Sequence, residues 1–272
     1  MFALPQLRLL YPQAAPDHLA AFAEQAPDLF RQTGLDVSPQ RCHFFLAQTG
    51  HESEGLRTRS ENLNYSAPRL MQVWPSRFPS LAAAAPYAGN PQALAERVYG
   101  SRMGNTERGD GWRFRGRGYI QLTGREAYRE VGRRAGLELE AEPDQVNHPR
   151  HALAVACGYW SWKRLNTLCD AGDYMALTRR INGGLIGLQD RFAWLQRAQR
   201  FIPWTAPGAW PVATLKAVQA ALRQRGLYSG SVDGIIGRES LGALATLRAE
   251  AGLSPAGGID HAVLGLLGVA EA

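Results

Sequence analysis

The sequence predicts a mainly α-helical fold with one small β-hairpin, followed by a small three-helix domain at the C-terminus. Three observations carry that prediction. Apolar residues recur at helical spacing along most of the chain. Start signals such as Ser-Pro, Asn-Pro and a lone Asp precede these runs, and glycines follow them at short intervals. Residues 104–124 instead alternate glycines with large side chains, the pattern of a short hairpin whose backbone is closely approached. The chain has 272 residues, enough for one full domain and a small one, and its 45% hydrophobic content is ordinary for a globular protein. The expected division is a first domain over 1–203, a linker over 204–210 and a second domain over 211–272.

In chain order, residues 1–34 read as two short segments. In the second, 17–32, Leu19, Phe22, Leu29 and Phe30 form a broken stripe, which Pro27 is expected to kink or divide and Gly34 to end. Ser38-Pro39 opens the next helix, a capping hydroxyl and then proline where no N–H is missed, and the run continues to Glu52. Residues 67–74 form a helix with Leu70, Val73 and Trp74 on one face, and 79–89 a loop rich in alanine and proline. Asn90-Pro91 starts a helix that Gly100 stops. After the hairpin, a helix over 124–134 is expected to be capped by Thr123, with Glu126 completing a capping box. A single turn at 143–147 precedes a strong helix over 149–164, whose Trp160 is placed in the core by its spacing. Asp173 caps a helix that stops at Gly183-Gly184, and 189–202 closes the first domain with Phe192, Leu195, Ala198 and Ile202. Beyond the linker, helices are expected over 212–225, 238–251 and 259–267.

Two carboxylates nine positions apart, Glu52 and Glu61, stand in unlike settings. Glu52 follows Phe45 and Gln48 at helical spacing, so it falls at the edge of an apolar face, where a carboxyl is poorly hydrated and suits a proton donor. Glu61 lies among Arg59, Ser60, Asn62 and Asn64 with no apolar stripe, the setting of an ionised base. A proton-holding acid and an ionised base on either side of a short loop are the pairing that hydrolyses glycosidic bonds. The competing reading is two solvated surface glutamates, the commoner fate of Glu. Asn62, Asn64, Tyr65 and Ser66 supply a dense set of groups that can hydrogen-bond to sugars.

Composition removes several other classes. Cys42, Cys157 and Cys169 lie in or beside apolar patterns and read as buried core residues. His148 and His151 have no third ligand nearby, so neither a metal nor any other cofactor is expected. No run is long and apolar enough for stable membrane insertion. The N-terminus lacks the pattern of a signal peptide, so synthesis in a bacterial cytoplasm is expected, with action on the wall only after release or export. Net charge is +6, yet five basic and five acidic residues balance from Trp204 onward, so the excess lies in the first domain. Arg102, Arg108, Arg113, Arg115, Arg117 and Arg125 concentrate it. Without a nucleic-acid motif, that patch reads as a surface for an acidic polymer such as peptidoglycan, with no nucleic acid as partner. Gly-Arg-Gly-Tyr, 116–119, lacks the lysine and the spacing of phosphate-binding loops.

His-Glu-Ser-x-Gly followed by Glu-Asn-Leu-Asn-Tyr-Ser, over 51–66, resembles the lysozyme branch of glycoside hydrolase family 19, the endolysins of phages and prophages. Phe-Arg-Gly-Arg-Gly-x-Ile-Gln-Leu-Thr-Gly, 114–124, is similar to that family's substrate-cleft strand, and Ile-Asn-Gly-Gly, 181–184, with Asp190-Arg191 to a third signature. The resemblance implies a lysozyme-like α+β fold with a cleft, Glu52 as acid, Glu61 as base, and Thr123 helping to hold the attacking water. It implies substrate contacts from Tyr65, Gln121, Asn182 and Arg191. Chitinases of the family carry a Glu four positions after the Asn, where this chain has Ile186, so the ion-pair network around Arg191 is expected to be incomplete. Gln219, Ala221-Leu222, Gly226 and Val-Asp-Gly-Ile-Ile-Gly, 232–237, resemble a three-helix peptidoglycan-binding domain. The implied protein is a monomeric endolysin that hydrolyses the β-1,4 glycan of bacterial peptidoglycan with inversion. A chitinase, a lytic transglycosylase and a non-catalytic wall-binding protein remain the alternatives.

Overall fold

The computed structural model describes residues 4–57, 60–202, 210–253, 259 and 261–270. Arg59 and most of the expected linker lie outside them. The chain divides into two compact units, Met1–Trp204 and Thr205–Ala272.

The first unit is built from α1 (Leu4–Leu10), α2 (Pro16–Thr33), α3 (Pro39–Glu52), α4 (Ala67–Val73), α5 (Leu81–Ala84), α6 (Pro91–Tyr99), α7 (Asp110–Arg113), α8 (Arg125–Ala135), α9 (Pro149–Trp162), α10 (Asn166–Asp170), α11 (Tyr174–Asn182) and α12 (Leu188–Phe201). α3 starts as its sequence predicts: Ser38 accepts a hydrogen bond from the Arg41 N–H at 3.2 Å, and Pro39 takes the first helical position. α2 does not. Pro27 lies inside one continuous helix, because residues on both sides of it, Phe22, Ala26 and Phe30, are buried in the same core. The lost backbone bond and ring clash of an internal proline are offset by that shared burial. The loop expected over 79–89 contains α5 and a 3₁₀ turn, Ala85–Tyr87.

The main core surrounds α3. Phe45 is fully buried, with its ring centroid 5.2 Å from Phe30 and 5.1 Å from Trp160, both edge-on. Such tilted pairs place ring edges on ring faces and add to the burial itself. α3 packs along α12, and α2 and α8 pack on α9. A second, smaller cluster gathers Leu63, Leu70, Phe78, Leu94 and Val98 from α4, α6 and their connections. Glu52 thus ends a helix of the main core, whereas Glu61 leads into the second cluster.

The expected hairpin is reduced to two isolated antiparallel bridges, Ser60 with Arg117 and Arg117 with Leu122. Within 104–124, residues 110–113 form α7, leaving too little extended chain for a ladder. The bridges still tie the Glu61 loop to the glycine-rich segment, since the Glu61 N–H donates to the Gly116 carbonyl at 3.0 Å.

The second unit holds α13 (Val212–Gln224), α14 (Arg238–Glu250) and α15 (His261–Leu267) around Val218, Leu222, Leu244, Leu247, Val263 and Leu264. Gln219 is fully buried and organises the connector between the first two helices. Its amide nitrogen donates to the Ile235 carbonyl at 3.0 Å and to Asp233 at 3.2 Å, and its oxygen accepts from the Gly234 N–H at 2.7 Å. Gly234 adopts φ +83°, which a side chain would resist.

Candidate active site

Glu52 and Glu61 line one open groove of about 480 Å³, together with His51, Tyr65, Trp74, Gln121 and Asp190. Their surroundings differ, as the sequence predicts, but through other groups than predicted. Glu52 does not stand at a bare apolar edge. The Arg191 guanidinium lies 2.5 Å from its Oε1. Arg191 itself is 1% exposed; it also donates to the Gln48 side-chain oxygen and, at 3.4 Å, to the Ile186 carbonyl. Gln48, one helical turn before Glu52, donates in turn to Thr178 at 3.0 Å. The network expected to be incomplete at Ile186 is therefore closed by Gln48, while the Ile186 side chain is exposed. Arg191, expected to contact substrate, is instead buried, with its guanidinium against the Glu52 carboxyl.

Both oxygens of Glu61 accept hydrogen bonds, one from the Gly116 N–H at 2.5 Å and the other from the Tyr99 hydroxyl at 2.7 Å. Burial, with the Glu61 charge adding to it, pushes the Tyr99 phenol well above its ordinary range, so Tyr99 serves as a neutral donor. Tyr99 ends α6 and its carbonyl accepts from the buried Asn105 at 2.9 Å. Gly116 has a positional reason: a Cβ there would meet the Gln121 side-chain oxygen at 3.0 Å and the Glu61 carboxyl carbon at 3.3 Å. Gln121 and Glu61 thus crowd the same glycine. Gln121 sits at φ 51°, a left-handed conformation uncommon for a residue with a side chain.

Thr123 neither caps α8 nor lines the groove of the two carboxylates. Its hydroxyl donates to the Gln121 carbonyl at 2.9 Å. The first N–H groups of α8 are taken by Asn105, which accepts from the Arg125 N–H at 2.9 Å, and by the Met103 carbonyl, which accepts from Glu126 at 3.1 Å. The capping box is absent because an asparagine twenty residues earlier reaches the helix end first. Thr123 lines an adjoining groove that shares Gln121 with the first. Tyr65 lines the main groove with its ring 5.4 Å from Trp74, edge-on. Asn182 is the exposed last residue of α11, outside both grooves.

No protein-family model matches the chain. A protein from Haemophilus influenzae described as a glycosyl hydrolase family 19 domain-containing protein is 41% identical over 157 residues, spanning 57% of this chain and 76% of that one. The chain belongs to glycosyl hydrolase family 19. As a family 19 enzyme it is a glycoside hydrolase acting on glycans. Similar solved structures include chitinase C from Streptomyces griseus, 20% identical at a TM-score of 0.47 over 76% of this chain and 95% of that one. Another is a bacterial family 19 chitinase, 22% identical at 0.45 over 76% and 97%.

Several residues of this family 19 site have no role assigned by the sequence, although Asp190 lies in the third signature. Tyr99, Gln48 and Asp190 each act across the fold. His51 lies 2.6 Å from the Asp190 carboxylate, and any side chain at Gly187 would collide with the His51 ring. Trp74 reads as core from its spacing, but a tryptophan just before a helix-ending proline is also placed to face a groove. The arginine cluster is split: Arg102, Arg108 and Arg113 are exposed, and the other three are partly or fully buried. Arg117 is buried 2.8 Å from Asp144, Arg125 pairs with Asp110 at 2.6 Å and Glu140 at 3.1 Å, and Arg115 stacks 3.9 Å over Trp112. Half of the expected polymer-binding charge, on Arg102, Arg108 and Arg113, stays at the surface.

Proposed function

We propose that this family 19 hydrolase is an endolysin that cleaves β-1,4 bonds of bacterial peptidoglycan by single displacement. The observation that carries the reading is the pair of glutamates facing one groove with unlike partners. Arg191 holds Oε1 of Glu52, so the proton given to the leaving oxygen belongs on Oε2. The guanidinium then stabilises the carboxylate that forms as the bond breaks, a charge that develops only along the reaction. Glu61, fixed by the Gly116 N–H and the Tyr99 hydroxyl, takes the proton of a water on the opposite face of the sugar. Inversion requires carboxyl groups about 6.5–9.5 Å apart, which leaves room for that water.

Gln121 stands beside Glu61 over Gly116 and is the side chain best placed to orient the water. Thr123 acts through Gln121 by holding its carbonyl. Tyr65 and Trp74 offer ring faces and edges to sugars, and Asn182 lies beyond the two grooves as a peripheral contact. No metal or other cofactor enters the scheme. The second unit supports a wall-directed role, because a turn held by Gln219 presents Asp233 and the exposed Ile235 on a small bundle suited to binding peptidoglycan. The enzyme would act as a monomer, made in the cytoplasm and released to the wall. Digestion of purified sacculi beside chitin oligomers tests this. Soluble fragments with new reducing ends should come from sacculi; turnover of chitin alone would make the protein a chitinase.

A further inference from the structure

The groove adjoining the two glutamates enters the scheme above only through Gln121 and Thr123 in its lining. It encloses about 280 Å³ and combines an aromatic and apolar wall, Tyr159, Trp162 and Ile181, with two charged groups, Lys163 and Glu126. Two features tie it to the reaction. Gln121 belongs to both grooves. Tyr159, almost buried, lies close enough to Glu52 to feel its charge.

Lys163 is the unusual member. Its Nζ sits 3.5 Å from the centroid of the Trp162 ring, and the Tyr159 ring is 5.9 Å away. The ring face fixes the ammonium without using its N–H donors, because a cation is held there by the quadrupole and not by a hydrogen bond. Among the described residues Lys163 forms no ion pair; Arg180 and Glu126 act on it only from a distance. A half-buried ammonium with free donors beside a glycan cleft meets only neutral acceptors, hydroxyls and acetamido carbonyls, in an uncharged polymer of N-acetylglucosamine. In a peptide-bearing glycan strand it has a carboxylate to bind.

We propose that this second groove receives the peptide carried on the lactyl arm of the glycan, with Lys163 taking a peptide carboxylate, Glu126 an amine, and Trp162 and Ile181 its aliphatic groups. The inference rests on the peptidoglycan reading given above. It makes the enzyme selective for peptide-bearing strands, with Lys163 as the selecting residue.

The test uses the full chain and two substrates: soluble glycan strands that carry their peptides, and the same strands after an amidase has removed them. Wild type, Lys163→Met and Lys163→Arg are compared by kcat/KM from new reducing ends. Lys163→Met should lose about tenfold or more on peptide-bearing strands, the usual scale for a hydrogen bond to a charged group, mostly through KM. It should be unchanged on stripped strands. Lys163→Arg should retain most of the selectivity. Equal losses on both substrates, or no loss on the peptide-bearing one, would overturn the inference while leaving the peptidoglycan reading intact. A wild-type enzyme that cleaves neither strand but turns over chitin would overturn both.

Discussion

Replacing Arg191 by methionine perturbs the site while keeping both glutamates. The guanidinium is 1% exposed and touches Glu52 at 2.5 Å, the Gln48 side chain, and the Ile186 carbonyl. Methionine fills much of the same volume, so the loss is mainly electrostatic. Removing one member of a buried pair typically costs about 3–5 kcal/mol, because the partner groups lose the donor that satisfied them. The Glu52 side chain is 15% exposed and can turn toward groove water, whereas the Gln48 oxygen is fully buried and cannot. The lower end, about 3 kcal/mol, therefore applies. At roughly 2–4 °C per kcal/mol for a unit of this size, the larger unit should melt about 6–12 °C lower by calorimetry. Arg191→Met combined with Glu52→Gln removes both partners of the contact, so the double variant should be less destabilised than the sum of the single ones by about 1 kcal/mol or more. A shift under about 2 °C, or additivity within about 0.5 kcal/mol, would show that the pair does not hold Glu52.

Other expectations follow from single contacts. Tyr99→Phe removes one of the two donors to Glu61 and should lower kcat about tenfold with little change in KM; unchanged kcat in steady-state assays would remove Tyr99 from the site. The Glu140 carboxyl is held down to about 2 by hydrogen bonds from Arg129 and then Arg125. A depressed carboxylate stabilises the fold above its unfolded value, 4.5, and that contribution is lost as pH falls from there toward 2. Urea midpoints should decline across that window, and Glu140→Gln should flatten the decline. Burial pushes the thiols of Cys42, Cys157 and Cys169 up to about 12. A thiol reagent at neutral pH should therefore modify none of them in the folded protein and all three after denaturation; rapid labelling of the native chain would contradict their burial.

What the sequence made legible was local. Ser38 and Asp173 cap their helices as their positions predict, the latter accepting from the Ala176 N–H at 2.8 Å. Phe45 and Trp160 lie in the core that their spacing assigns them. Motifs also located both glutamates, Tyr65 and Gln121, which do share a groove. The errors have a common cause in partners distant along the chain. Asn105 displaced Thr123 as the cap of α8. Gln48 closed a network that appears broken when only the residues after Asn182 are read. Of the arginines between 102 and 125, Arg125 and Arg117 are paired by Glu140 and Asp144 from later in the chain, while Arg102, Arg108 and Arg113 stay exposed. Pro27 reads as a helix breaker because propensity is local, whereas the burial of Ala26 and Phe30 that overrides it is tertiary.

The central claim is that Glu52 and Glu61 hydrolyse a peptidoglycan glycan by direct displacement. Its most direct test is the anomeric form of the first product released from peptidoglycan strands, followed by NMR for wild type, Glu52→Gln and Glu61→Gln. Wild type should release the inverted anomer with a reducing end, and each variant should lose about 10²-fold or more in rate while remaining folded. Retained anomer, anhydro-sugar ends, or near wild-type turnover by Glu52→Gln would contradict the assignment.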